Sequence, residues 1–344
     1  MINLFSDTQT RPTPEMRRFM ADADVGDEQR GEDPTVNLLQ EMVAELLGKE
    51  AALFLPSGTM CNEISFAAWC RPGDEILMAA TAHPLNLEGG GPAALAGAVI
   101  TPLPGRRGMF TGERVESAIR PPDRYFPRTR AVSIEQTTNL GGGACWPLEE
   151  IESICSLAHG RGLVAHLDGA RLLNAVVVSG VAASSYARHF DSAWIDLSKG
   201  LGAPVGAVLA GSADFVEEAW RFKQRWGGAM RQAGIIAAGG VYALRHHVDR
   251  LKEDHANAAL LARGLAEMPG IELDPDIVDT NIVIFDVAGT GMMAAEFIAR
   301  MKDEHDVLFS PLLGATSVRA VTHLDVTGAE VEAAVAAVRR LLVR

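Results

Sequence analysis

Lys199 closes the half-apolar stretch Ser192-Ala-Trp-Ile-Asp-Leu-Ser-Lys199 and opens onto the glycine-rich Gly200-Leu-Gly-Ala-Pro-Val-Gly206. An amine just beyond a buried strand is partly desolvated, which favours the neutral, nucleophilic form that condenses with a carbonyl. By position alone such a lysine is an ordinary loop residue, so the chemistry depends on what accompanies it. Upstream, Gly162-Leu-Val-Ala-His-Leu-Asp168-Gly-Ala-Arg171 is a second apolar run with charged groups where the strand should end. Ligands of open α/β sheets lie outside the carboxyl ends of the strands, so Asp168 and Lys199 are expected to face one crevice. Pro56-Ser57-Gly58-Thr59 follows the apolar run from Ala51 to Leu55 and opens a helical pattern near Met60. Backbone N–H groups at a helix start hold phosphate, although the tripeptide alone also reads as a plain cap. His83, in Ala82-His-Pro-Leu-Asn-Leu-Glu88-Gly-Gly-Gly91, can stack on a flat ring or accept a proton near neutral pH. His166 lies inside its apolar strand and reads as a satisfied core histidine.

A lysine to carry an aldehyde, a carboxylate to keep a ring nitrogen protonated and a cradle for phosphate are what pyridoxal 5'-phosphate requires. Further stretches accompany these three: Ser6-Asp7-Thr8 with Thr10-Arg11-Pro12-Thr13, Gly31-Glu32-Asp33-Pro34-Thr35, Met230-Arg231-Gln232 and Thr322-His323-Leu324-Asp325. Together with Pro56 to Thr59, His83, Leu167 to Arg171 and Leu197 to Gly206, they make the chain resemble the low-specificity L-threonine aldolases over nearly its whole length. The resemblance implies an aspartate-aminotransferase-like (fold type I) α/β fold and pyridoxal 5'-phosphate as cofactor. The activity it implies is cleavage of L-threonine, L-allo-threonine and related β-hydroxy-α-amino acids to glycine and an aldehyde. It makes Lys199 and His83 the catalytic pair. It places Ser57, Gly58, Thr59, His83, Asp168, Arg171, Lys199 and Arg231 at the cofactor, and Ser6, Arg171 and Arg319 at the substrate carboxylate. It also implies a homotetramer, a dimer of dimers, in which the loop Gly227-Gly-Ala-Met-Arg231 lies near a neighbouring subunit's cofactor phosphate.

Several positions depart from the family pattern, most of them at the end of the site that receives the substrate hydroxyl. Arg30 replaces a common tyrosine, Tyr125 replaces a histidine found in some members, and Glu135-Gln-Thr-Thr138-Asn139 replaces Glu-Asn-Thr-His-Asn. A family lysine falls on Gln224, between Lys223 and Arg225. Tyr125 can donate a hydrogen bond, but with a reference pKa of roughly 10 it is a poor base, so catalysis leans on His83. Arg30 suits an acidic β-substituent such as that of β-hydroxyaspartate, or else a surface pair with Glu28 or Glu32. Two alternatives keep the same Lys199 and Asp168: a β-eliminating lyase releasing pyruvate and ammonia, and a cofactor-binding protein that has lost its catalysis.

The elements that must position these residues follow from length and pattern. With 344 residues, two domains are expected. Residues 1–35 read as an arm lying across another surface, 36–247 as a large cofactor-binding domain with a mainly parallel sheet, and 248–344 as a smaller α+β domain. Short apolar runs at 51–55, 75–79, 98–103, 131–135, 163–167, 193–197 and 205–210 alternate with helical or turn stretches. The last follows Lys199 too closely for a helical crossover and should pair antiparallel. Beyond residue 248 the expected order is strand (271–273), strand (281–287), helix (292–301), strand (307–310), strand (317–321), helix (328–343). A net charge of −13 argues against a nucleic-acid or anionic-membrane partner. There is no apolar run long enough to span a bilayer and no signal-like N-terminus, so a cytoplasmic enzyme is expected. The four cysteines show no zinc spacing and are expected to be reduced; no metal site is expected.

Overall fold

The computed structural model describes residues 1–343. Its strands, in chain order, are β1 (Ile2–Asn3), β2 (Ala51–Leu55), β3 (Glu75–Ala79), β4 (Val99–Leu103), β5 (Thr129–Glu135), β6 (Val164–Gly169), β7 (Ser192–Asp196), β8 (Ala207–Gly211), β9 (Ile282–Asp286), β10 (Val307–Leu308), β11 (Ser310–Pro311) and β12 (Ser317–Val321). β2 to β8 form a seven-stranded sheet in the order β2-β8-β7-β6-β5-β3-β4. The strands from β4 through β7 run parallel, whereas β8 pairs antiparallel with both β7 and β2. The short turn after Lys199 leaves no room for a crossover helix, which is why the direction reverses there. β5, β6 and β7 are buried almost throughout because helices cover both faces, so their sequences read as continuous apolar runs rather than alternating ones.

Helix starts near the sheet are set by side-chain caps. Asp33 accepts from Thr35 N and Val36 N at the head of the Pro34–Leu47 helix, and Ser57 accepts from Met60 N at the head of the Gly58–Trp69 helix. The first of these helices stops at Gly48, whose φ of 63° suits glycine.

The C-terminal sheet has the order β11-β12-β9, all antiparallel, and packs on the helices Leu251–Ala266, Ala294–His305 and Gly328–Leu342. Phe285, Phe297 and Phe309 meet at its centre. Two expectations are corrected here. Residues 271–273 make only a single bridge, Glu272 to Asp286, and the run 307–310 divides into β10 and β11 around the buried Phe309. The first residues are also more than an arm laid on a surface. β1 pairs with β10, Leu4 is fully buried in the C-terminal core, and Met16 is fully buried in the core of the large sheet. Among the described residues no helix is long and apolar enough to cross a membrane, no acidic, histidine or cysteine cluster could hold a metal ion, and all four cysteines are free.

Candidate active site

β7 ends at Asp196, whose carboxylate organises the turn that follows. Its Oδ1 accepts from Ser198 N at 2.7 Å and from Ser198 Oγ at 2.9 Å, and its Oδ2 accepts from Lys199 Nζ at 2.7 Å. Thr10 Oγ donates to the carbonyl of Lys199 at 2.9 Å, so the N-terminal segment pins the same turn. The Lys199 side chain is 16% exposed, enough for its amine to meet a ligand from one side only. The helix start at Ser57-Gly58-Thr59 lies directly beside it. A Cβ on Gly58 would stand 2.4 Å from the Trp194 ring and 3.2 Å from Asp196 Oδ2, the oxygen that holds Lys199. Glycine is therefore required at 58, and the helix N-terminus is brought within reach of the lysine.

One strand over, Asp168 is the penultimate residue of β6, paired in register with Glu135 on β5 and Trp194 on β7. Asp168 is 1% exposed; its Oδ1 accepts from Ala170 N at 3.0 Å and its Oδ2 from Asn62 Nδ2 at 2.9 Å. The orientation of Asn62 follows from its partners. Its oxygen accepts from Trp194 Nε1 at 2.8 Å, so its amide nitrogen must face the carboxylates of Asp168 and, at 2.8 Å, Glu88. His166 Nε2 lies 3.1 Å from the same Asn62 oxygen and therefore carries the proton, leaving Nδ1 to accept from Ser192 Oγ at 2.8 Å. Burial holds His166 down to about 3, the satisfied core histidine expected. His83 Nδ1 lies 2.7 Å from Glu88 Oε1, and its ring is 32% exposed toward the cleft.

The pocket is rich in negative charge. Burial, and then Glu88, push Asp168 above the usual carboxylate range; burial, and then Asp168, push Glu135 well above it. A cationic ring N–H at Asp168 would relieve that repulsion, so the residues present fit a pyridinium there and a phosphate at the helix start.

The residues expected at a substrate carboxylate come from three segments. Arg171 donates through Nε (2.8 Å) and Nη2 (2.6 Å) to Asp7, with both side chains buried, and Asn281 Nδ2 donates to Asp7 at 3.1 Å. Burial alone would raise the Asp7 carboxyl, but Arg171, Lys199 and Asn281 bring it down to about 2. Arg171 is thus already engaged on one edge, a partner its sequence context did not assign. Ser6, 5% exposed beside Asp7, accepts from Thr8 N and Thr8 Oγ. Arg319 on β12 donates to Asn139 Oδ1 at 2.8 Å and to Ser310 Oγ at 3.1 Å. It has no carboxylate partner among the described residues, and burial followed by the charge of Arg171 pushes it below its usual range. A half-buried guanidinium with no carboxylate partner, close to a second one, has the chemistry to accept an anion.

Three predicted site residues are placed elsewhere within the single chain. Tyr125 is 85% exposed just ahead of Thr129, the first residue of β5, while Glu135, the neighbour of Asp168, ends that strand. A strand rises about 3.3 Å per residue, so Tyr125, ahead of the amino end of β5, is separated by the length of that strand from the carboxyl ends where Asp168 and Lys199 stand. Arg30 is solvent-exposed and paired with Glu32 at 3.0 Å, the surface pair that was the alternative to recognition of an acidic substrate. Arg231 is also exposed and donates to Asp27 at 2.9 Å, although its loop reaches the helix start through Gly228, which packs against Met60. Lys223, rather than a residue at 224, is the buried lysine of this region, fully enclosed and paired with Glu28. Asp7, Asn62, Glu88, Asp196 and Asn139 were not singled out from sequence. Asp7 and Glu88 stood inside quoted motifs, but nothing in residue type or spacing distinguishes Asn62.

The beta-eliminating lyase family profile matches residues 3–289. The low-specificity L-threonine aldolase of Escherichia coli K12 is 40% identical over 345 residues, covering 100% of both chains. Among solved structures, a Leishmania major threonine aldolase superposes with a TM-score of 0.84 at 22% identity, covering 99% of this chain and 100% of that one. An aspartate aminotransferase from Rhizobium meliloti gives a TM-score of 0.73 at 15% identity, covering 100% and 91%. At those identities the structures establish the fold, which is that of the fold type I enzymes.

Proposed function

The chain belongs to the beta-eliminating lyase family and, within it, to the low-specificity L-threonine aldolases, and from this we propose that it cleaves L-threonine, L-allo-threonine and related β-hydroxy-α-amino acids to glycine and an aldehyde. What supports the reading is a chain of charges that feel one another: Lys199 acts on Asp168 and on Asp7, and Arg171 and Asp7 act on Arg319, which has no carboxylate partner among the described residues. Pyridoxal 5'-phosphate, when bound, supplies an aldehyde for the substrate amine and an electron sink for the pair left when Cα–Cβ breaks.

The chain's own residues do the rest. Ser57, Gly58 and Thr59 receive a phosphate at the helix N-terminus, helped by Arg231 from a neighbouring copy. Asp168, fixed by Ala170 N and Asn62, holds a proton on a ring nitrogen. Arg319, Ser6 and the remaining Nη1 of Arg171 grip the substrate carboxylate, and that grip turns Cα–Cβ toward the direction in which its electrons are best delocalised. His83 Nε2, or a water that it orients, takes the β-hydroxyl proton as the C–C bond breaks and the aldehyde C=O forms. Lys199 Nζ would hold the cofactor's carbonyl carbon when no substrate is bound, and the proton that Cα needs to become glycine would be delivered by that amine or by water in the cleft.

The proposal extends to a cytoplasmic homotetramer, a dimer of dimers. The exposure of Arg231 and Tyr125, which have no role in a single chain's site, supports shared sites. It also keeps the division at 35/36 and 247/248; the second of these is supported by a second core whose members, apart from Leu4, lie beyond residue 257. The test is to offer cofactor-loaded protein L-threonine and L-allo-threonine separately, assaying glycine and aldehyde alongside pyruvate and ammonia. Matched glycine and aldehyde are expected; pyruvate with ammonia would identify a β-eliminating enzyme, and no product would identify a silent cofactor-binding protein.

A further inference from the structure

Consecutive residues of the Gly58–Trp69 helix address a single carboxylate. Asn62 Nδ2 donates to Glu88 Oε1, the oxygen that also contacts His83 Nδ1, and the next residue of the helix, Glu63, has Glu88 as its side-chain neighbour. Glu63 is 1% exposed and Glu88 8%. Both oxygens of Glu63 and Oε2 of Glu88 are buried without a donor. Gly91 makes room for the pair, since a Cβ there would stand 2.3 Å from Glu63 Oε1. Two buried carboxylates facing each other with three unsatisfied oxygens are untenable if both are ionised. One proton between them resolves the conflict, because a carboxylic acid donates and a carboxylate accepts.

We propose that Glu63 is a positioning residue: a neutral buried acid that donates its proton to Glu88 Oε2, so that Glu88 is held at both oxygens and keeps His83 as the tautomer with Nδ1–H toward Glu88 and Nε2 open to the cleft. Burial, followed by the charge of Glu88, pushes Glu63 up to about 9, in keeping with a proton retained through the neutral range. Around this corner Glu88 contacts His83 and Asn62, Asn62 in turn contacts Asp168 and His166 of β6, and the charge of Glu88 is felt by Asp168 and by Cys61 on the same helix as Glu63. The Gly91–Leu95 helix that closes over Glu63 carries no charge. With Glu63 donating, Glu88 is satisfied without drawing a second proton onto His83, and His83 stays available as an acceptor. This step rests on the reading of His83 as the group that receives the β-hydroxyl proton.

The experiment compares cofactor-loaded wild type, Glu63→Gln and Glu63→Leu. Infrared spectroscopy at neutral pH should show a protonated carboxyl in the wild type that is absent from Glu63→Gln. Histidine ¹⁵N spectra should show the Nδ1–H tautomer of His83 in both proteins, because the glutamine amide still donates to Glu88. In Glu63→Leu the unsatisfied Glu88 should draw a proton toward His83 and move the acidic limb of the kcat/KM profile up by about one pH unit, a tenfold loss on that limb. An infrared spectrum unchanged by Glu63→Gln would overturn the proposal. So would a Glu63→Leu enzyme with the wild-type pH profile and tautomer. Because the spectra do not depend on turnover, a protein with the acid band and the tautomer but no threonine cleavage would refute the functional reading alone.

Discussion

Asn62 Nδ2 donates to Asp168 Oδ2 across 2.9 Å, so a residue early in the Gly58–Trp69 helix fixes the carboxylate of the penultimate residue of β6. Because the Asn62 oxygen is held by Trp194 Nε1, the amide cannot turn over. Asn62→Leu takes a donor from two buried carboxylates and leaves the Trp194 N–H unsatisfied. A loss of about 1–3 kcal/mol for each stranded group is expected, together with weaker cofactor retention as Asp168 becomes harder to ionise. Thermal unfolding and cofactor titration would read both, and wild-type values in both would sink the assignment.

The Asp7–Arg171 pair should behave as a buried ion pair. Asp7→Ala leaves an uncompensated guanidinium and should cost about 3–5 kcal/mol in denaturant unfolding. Asp7 is lowered from 3.8 to about 2, so the native state holds its proton less tightly than the unfolded chain does. Its contribution is complete above 3.8 and is lost as pH falls through about 2. A wild-type stability curve that lost the Asp7 contribution between neutral pH and 5 would contradict this sign.

Glu63 has the opposite sign. Its native value of about 9 lies above the ordinary 4.5, so its contribution is present below 4.5 and is lost as pH rises through about 9. The Tm of Glu63→Gln relative to wild type should therefore improve steadily on going from acid to alkaline buffer, and a pH-independent difference would count against a buried acid.

Arg319→Lys retains charge but loses the planar fork that meets Asn139, Ser310 and an incoming carboxylate. A fall in kcat/KM of about 10- to 100-fold is expected, the equivalent of about 1.5–3 kcal/mol for a charge-assisted hydrogen bond. Steady-state kinetics with L-threonine would check it; unchanged kinetics would remove Arg319 from the carboxylate set.

Tyr125→Phe and Arg30→Ala alter exposed groups and should leave stability within about 0.5 kcal/mol. Activity lost by Tyr125→Phe at unchanged stability would therefore report a site completed by a second copy, and mixing it with Lys199→Ala subunits should restore part of that activity. Failure of such mixing would place the effect within one chain.

Lys199, Asp168 and the Ser57-Gly58-Thr59 turn could be picked out as candidates because each stands where a simple rule applies, at the end of an apolar run or at the head of a helix, whereas Arg319 entered through the family resemblance. The strand positions of the large sheet, and the reversed direction of β8, were legible for the same reason, since strand burial and loop length are local properties of the chain. The small sheet was less so. Residues 271–273 carry the strand pattern, yet tertiary geometry grants them one bridge, and Phe309 interrupts a run that local preference would have kept whole.

What the sequence determined by itself is the kind of chemistry, because reactive residue types at strand ends and helix starts are set by local pattern. What only the tertiary structure decided is the wiring between them. Asp7 meets Arg171 from 164 residues away, Asn62 reaches Asp168 from 106, and Arg319 finds Asn139 from 180. Such partners are chosen by the order of strands in the sheet and by the packing of a helix across it. Tyr125, only ten residues before Glu135 in sequence, is carried to the other end of the strands by the full length of β5, because a strand separates its two ends however close they stand in the chain.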